Sequence, residues 1–383
     1  MTIEKLPQRD TRIDVLRALA LLNIYIDHIP GTVFEHWTYR NFGFSDAAEA
    51  FVLISGIAAG LFYESKVRRD DWLLPWLKMW RRAGVLYASH IVTTMVTLGI
   101  FCAGAIFARQ PDLLAEINIG PVIDRTPEAL VGIVTLGHQL GYNNILPLYA
   151  VLLLASPLVH AMLRVNLWFT VAASGLLWLV AGLWLVAPPN YPAAGYWFLN
   201  PLSWQFLFVI GMAAAVHVRR RGAIPVNIWL IRAAATYLVV SYLWIHTPFW
   251  GHATWFGLPP VLGGFDKTFL SLSRLTHILS IAYLIVAIPV ISNITRRGSG
   301  NPLAILGKRS LPIFIAGTIA AMTAQVLRIV FPGGVEFDGL LIATGIAIQF
   351  ALAYYLEWLA ARKAEGPRSV RTSVGQVAVG LQS

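Results

Sequence analysis

The chain has 383 residues, of which 57% are hydrophobic and 13% charged, and a formal net charge of +10. Soluble domains charge about a quarter of their residues, so this composition excludes a protein that faces water on every side. A single cysteine, Cys102, excludes an internal disulfide and a multi-cysteine metal site.

Apolar stretches of roughly 18–20 residues read as membrane spans. Backbone groups in lipid must find partners within their own segment, which selects helices over open strands. The expected fold is all-α, a polytopic membrane helical bundle. In chain order, ten spans are predicted near residues 13–34, 46–63, 83–107, 143–163, 167–187, 199–218, 227–246, 273–292, 310–330 and 338–361. A polar leader, MTIEKLPQRDTR, runs directly into the first, so no cleavable signal peptide is expected. With the N-terminus inside, 21 of the 29 Lys and Arg residues fall on the cytoplasmic side. Four (Arg40, Arg109, Arg125 and Lys267) fall opposite, the asymmetry of the positive-inside rule. Both termini are therefore expected inside. This asymmetry accounts for the positive balance, so membrane lipid is the expected surrounding and no nucleic-acid partner is needed. Residues 1–363 read as one integral-membrane domain and 364–383 as a mobile cytoplasmic tail.

The first span carries RALALLNIYIDHI, residues 17–29. A helix turns about 100° and rises about 1.5 Å per residue. Arg17 and His28, eleven steps apart, thus lie within roughly 20° of one face and about 16 Å apart in depth. Asp14 and Tyr25 fall on the same stripe. Ionisable groups in a bilayer are costly and face the bundle interior or a water-filled cavity, so the stripe reads as a polar pathway. Asp27 points elsewhere. The second span opens with EAFVLISG, residues 49–56, in which Ser55-Gly56 supplies either a hydroxyl or a close helix approach. The 109–142 connection contains PEALVGIVTLGHQLG, amphipathic and readable as a lid or as an interfacial helix. Asn143, Asn144 and Tyr149 open the fourth span. Asn200, Trp204 and Gln205 open the sixth, with Trp197 just before it. Asp266, Lys267, Arg274 and His277 form a second ionisable group, read either as an ion pair of Asp266 with Lys267 or Arg274 or as Lys267 or Arg274 placed to meet an anion. No metal site is expected, since no His-Glu-x-x-His or comparable spacing is present.

Arg17, His28 and EAFVLISG together resemble the signature of the acyltransferase-3 family of membrane acyltransferases. RIDVLRALALLNIYIDHI, SDAAEAFVLISG, NILPLY (144–149), FLNPLSWQFLFVIG (198–211), DKTFLSLSRLTHIL (266–279) and LAILGKRSLPIF (303–314) resemble, in order, blocks of its OpgC branch. That resemblance implies a multi-pass protein of the bacterial inner membrane that moves succinyl groups from cytoplasmic succinyl-CoA to osmoregulated periplasmic glucan. The partners it implies are an acyl-CoA donor and a glucan acceptor, with no bound cofactor.

Such chemistry removes a hydroxyl proton as the oxygen attacks a thioester. Histidine titrates near neutrality and suits that task, while arginine holds phosphate through charge-assisted hydrogen bonds. The resemblance implies these roles for His28 and Arg17, with Asp14 and Ser55 grouped on the donor side. Glu49 either supports the imidazolium of His28 or is a helix N-terminal acid. Asn144, Asn200, Trp204, Gln205, Lys267, Arg274 and His277 are candidates for the acceptor or for the succinyl carboxylate. Direct transfer is expected, because no well-placed Ser or Cys nucleophile stands out, with a relay through an acyl-enzyme as the alternative. The alternatives are transfer of acetyl or another acyl group to a different polysaccharide, or transport of a small anion without chemistry.

Overall fold

The computed structural model describes residues 10–66, 72–247 and 257–365. The predicted tail from residue 366 onward lies outside the described residues, as do Lys5, Arg9, Arg68, Arg69, Arg368 and Arg371 of the charge asymmetry.

Among the described residues the chain is helical, with one isolated β-bridge between Pro189 and Tyr196 and no strand. Helix α1 (Thr11–Asp27) is followed by α2 (Ala47–Lys66) and the long α3 (Leu73–Phe107). Short helices α4 (Gly120–Asp124) and α5 (Thr126–Val134) precede α6 (Ile145–Val165), α7 (Leu167–Leu183), α8 (Pro201–Arg221) and α9 (Ile228–Ile245). After α10 (Pro260–Gly263) come α11 (Leu272–Ala287), α12 (Pro289–Thr295), α13 (Pro302–Lys308), α14 (Ser310–Val330) and α15 (Val335–Glu365).

Seven of these helices are long and apolar enough to cross a membrane, or eight if α11 and α12 count as one broken span. α1 and α7, at 17 residues each, are shorter. The expected straight span at 273–292 is instead bent by 93° between α11 and α12. The cause is Pro289, which lacks a donor and crowds the residue before it. Ile288 accordingly takes extended angles, φ −100° and ψ 110°. α3 begins ten residues before the predicted span, and that extension carries Lys78, Arg81 and Arg82.

The core lies where α1, α2, α6 and α8 meet, with Leu21, Val52, Leu148, Trp204 and Phe208 among its buried side chains. α2 and α8 approach so closely that glycine is required on both. A Cβ on Gly56 would lie 2.2 Å from the Phe208 carbonyl oxygen, and one on Gly211 would lie 2.4 Å from that of Leu53. Small residues at the contact let membrane helices pack backbone to backbone. α9 is the contrary case: its window is only 11% buried, and Val239, Val240 and Leu243 face outward. An apolar helix without a protein partner on most of its surface is one that lipid covers.

The antiparallel packing gathers the start of α1, the end of α2, the start of α3 and α13 at one end of the bundle. The end of α1 and the starts of α2, α6 and α8 meet at the other.

Candidate active site

The end of α1 delivers His28. Its backbone N–H closes the helix onto the Ile24 carbonyl at 3.0 Å, and the turn Pro30-Gly31 ends the span, with Gly31 at φ +81°. The His28 ring stacks on Tyr142, centroids 4.4 Å apart, and its buried Nδ1 has no hydrogen-bond partner among the described residues. Tyr142 comes from the end of the 109–142 connection, which packs Leu113, Ile119, Ala129, Ile133 and Leu140 inward. Burial pushes the Tyr142 hydroxyl up from its ordinary value, so the ring against His28 stays neutral. Asp27 accepts a hydrogen bond from Thr38 Oγ1 at 2.5 Å, and Tyr25 donates to the Leu341 carbonyl at 2.9 Å.

His28 lines a cavity of about 280 Å³ whose polar wall includes Ser45, Asp46, Asn144, Lys267 and Arg274. Asp46 and Glu49 form a reciprocal cap on α2: the Asp46 N–H donates to Glu49 Oε2 at 2.9 Å, and Asp46 Oδ1 accepts from the Ala48 N–H at 2.9 Å. Their other oxygens hold the two cations. Arg274 donates through Nε to Glu49 Oε1 at 2.6 Å and through Nη2 to Asp46 Oδ2 at 3.0 Å. Lys267 Nζ also pairs with Asp46 Oδ2. Two carboxylates and two cations neutralise one another, which is how buried charge is tolerated.

This network takes the place of an ion pair within 266–274. Asp266 instead accepts the Phe269 N–H at 2.7 Å, because it caps the turn that leads into α11. Glu49 is fully buried, and both its oxygens are engaged by Arg274 and the Asp46 amide. His277 donates nothing to this network; it meets Ser45, at 2.7 Å between Nδ1 and Oγ.

Three candidates for the acceptor lie away from the cavity wall. Asn200 caps α8, accepting the Leu202 N–H at 3.0 Å and donating to the Val186 carbonyl at 2.8 Å. Gln205 ties α8 to α7 through Ser174, at 2.6 Å and 2.9 Å. Trp204 is fully buried and its indole N–H donates to the Lys267 carbonyl at 2.9 Å. It positions Lys267 and has no face open to a sugar ring. Of the sixth-span group, Phe198 and Leu199 are the residues that reach the cavity, and Lys267 Nζ sits 5.6 Å from the Phe198 ring centre.

A second cavity, about 810 Å³, opens at the other end of the same helices. Arg17 lines it, buried and 3.5 Å from Asp14, together with Ser55, Lys78, Arg81, Arg82, Lys308 and Arg309. Glu357 pairs with Lys308 at 2.6 Å and with Arg309 at 3.0 Å. Ala48 and Ile145 line the first cavity, and Phe51 and Tyr149, about one turn further along α2 and α6, line the second. The rings of Phe51 and Tyr149 meet edge to face at 5.9 Å, with Phe314 6.3 Å from Phe51. An aromatic partition therefore stands between an imidazole site and a site with six cations.

Sequence reasoning missed Asp46, Ser45 and the α3 cations. A signal for the first was present, since D-x-x-E before an apolar run is a capping box. Ser45 carried none, because its partner lies 232 residues away.

The sequence profile of the OpgC protein matches residues 9–361. The chain belongs to the OpgC family. Comparison with curated proteins and with solved structures returned no match. The OpgC match spans every residue of both cavities. OpgC membership supports a transferase with a part in modifying periplasmic glucan, and the apolar helices make this OpgC protein a multi-pass membrane protein.

Proposed function

We propose that the protein is an inner-membrane O-acyltransferase, of the acyltransferase-3 type, that moves a succinyl group from cytoplasmic succinyl-CoA to hydroxyls of a periplasmic glucan. Residues 1–363 act as one catalytic unit with both termini in the cytoplasm. The observation that carries this reading is the pairing of two cavities along α1, α2 and α6, one basic and one holding His28.

The basic cavity suits the phosphates of coenzyme A, because guanidinium groups bind phosphate oxygens through charge-assisted forks. Arg17 sits about 16 Å in depth from His28, a distance that an extended acyl-pantetheine arm spans once it passes Phe51 and Tyr149. In the smaller cavity His28 takes the proton of the attacking hydroxyl. A succinyl carboxylate there meets Lys267, Arg274 and Arg40; Arg40 has only a 3.9 Å contact with Glu35. Asn144 lines the same wall and offers amide hydrogen bonds to sugar hydroxyls. Glu49 acts through Arg274 rather than on the imidazole.

The test is transfer from labelled succinyl-CoA to periplasmic glucan by purified protein in liposomes, wild type against His28→Ala. Loss of about 10²–10⁴-fold in the folded variant is expected for a positioned general base. Equal transfer by both proteins removes His28 from the mechanism. A wild type that labels no glucan refutes transfer from succinyl-CoA to this acceptor.

A further inference from the structure

Direct transfer is the expectation when no nucleophile is in view, but the fold assembles one. Ser45 lies in the connection before α2 and lines the His28 cavity. His277, on α11, places Nδ1 2.7 Å from Ser45 Oγ. The Ser45 backbone N–H also points at that nitrogen, at 3.3 Å. An amide N–H can only donate, so Nδ1 is the bare, lone-pair nitrogen of the ring, the form a general base requires. The shorter contact is then Ser45 O–H donating to Nδ1. Tyr39 stands on the other side of the serine, its hydroxyl 2.6 Å from Oγ, and with Ser45 already donating, Tyr39 is the donor. Burial pushes the Tyr39 hydroxyl up, so it keeps the proton it donates.

The ring is held in place. A Cβ on residue 43 would fall 1.8 Å from His277 Nε2, so only glycine lets the backbone press against that edge. Phe44 and Tyr39 flank the imidazole with centroids 6.2 Å and 6.1 Å away. A nucleophile hydrogen-bonded to a base is the core of the arrangement that activates serine; here packing alone orients the ring, since His277 Nε2 has no hydrogen-bond partner among the described residues. Ser45 itself lines the cavity that holds His28, which a residue that merely tied the connection to α11 would not require.

We propose that Ser45 is the nucleophile of a two-step transfer, with His277 as its base; this rests on the acyltransferase reading above. In the first step Ser45 Oγ attacks the thioester carbonyl carbon while its proton passes to His277 Nδ1. The carbon–sulfur bond breaks, and the departing thiolate takes the proton from His277 to leave as free coenzyme A. In the second step His28 takes the proton of a glucan hydroxyl as that oxygen attacks the acyl-serine. The bond from the acyl carbon to Ser45 Oγ breaks, and the serine oxygen recovers the proton from His28. Tyr39 O–H supports Oγ as it departs.

The experiment uses the full chain in lipid nanodiscs with succinyl-CoA and no acceptor. Two readouts are taken: exchange of labelled coenzyme A into succinyl-CoA, and the mass of the Ser45 peptide after acid quench. Wild type is expected to exchange label and to carry one succinyl group on that peptide. Ser45→Ala loses exchange, adduct and subsequent transfer to glucan, and His277→Asn slows exchange by about 10²–10⁴-fold. His28→Ala accumulates the adduct, because its second step is blocked. Should Ser45→Ala fail to fold, Ser45→Cys is expected to carry the acyl group as a thioester at the same position. A folded Ser45→Ala that labels glucan near the wild-type rate overturns the relay, as does a wild type that transfers without exchange. A wild type that exchanges label but leaves glucan untouched refutes the acceptor and keeps the relay. One that does neither refutes the acyltransferase reading, and the relay falls with it.

Discussion

Arg274 is the residue on which the small cavity depends most. Two buried carboxylates hold it, at 2.6 Å and 3.0 Å, and removing it leaves Glu49 uncompensated in the bundle interior. Breaking one partner out of a buried pair costs about 3–5 kcal/mol. Arg274→Leu is therefore expected to lower the unfolding midpoint in detergent sharply. The double variant Arg274→Leu with Glu49→Leu should recover much of the loss, since it removes the orphaned charge; no recovery would mean that the pair does not bear on stability. At this scale the sequence was partly legible. Arg17 and His28 stood out because ionisable groups in an apolar helix are rare. Lys267 and Arg274 stood out on the side where cations are scarce. Their partners did not, because the nearest acid in sequence, Asp266, is used up by a turn, while Asp46 arrives from 221 residues away.

At the scale of elements, α2 does most to build the site. Its first turn supplies the capping box that grips both cations, its second turn supplies Phe51, and its small face seats α8. The contact between Gly211 and the Leu53 carbonyl leaves no room for a side chain. Gly211→Leu is expected to force the pair apart at a cost of about 1–3 kcal/mol or more, read as a lower melting temperature together with loss of activity; unchanged melting would show that the helices have slack. The Ser55-Gly56 pair illustrates what spacing can convey. Small residues in a span signal close packing, and Gly56 does pack closely, but which helix comes against it is absent from the local pattern. The break in the eighth predicted span was equally open to view: Pro289 sits inside 273–292, where it removes a donor and disfavours a continuous helix.

Across the whole molecule, the two cavities give the bundle a direction. One end concentrates cations from α1, α3 and the junction of α13 with α14, and the other holds the neutralised network beside His28. If the basic end holds donor phosphates, the double variant Arg81→Gln with Arg82→Gln raises KM for succinyl-CoA by on the order of tenfold or more. kcat stays near the wild-type value, because these groups touch neither reacting atom. A fall in kcat at constant KM would place them elsewhere in the cycle. Added salt should weaken donor binding in the same direction, since exposed charges are screened within about 10 Å at 0.1 M.

Composition by itself determined that this chain lives among lipid and is helical, because 13% charge cannot cover a soluble surface and backbone groups in lipid need helices. Periodicity determined that Arg17 and His28 share a face, since helical geometry acts over neighbouring turns. The ordered motifs pointed to the family. Tertiary structure alone decided that Asp46 and Glu49 take the two cations, that Trp204 bonds the Lys267 carbonyl and Gln205 bonds Ser174, and that Ser45 meets His277. Each of those contacts joins segments far apart in the chain. A local pattern carries information about turns and faces; it carries none about which distant helix will close the contact.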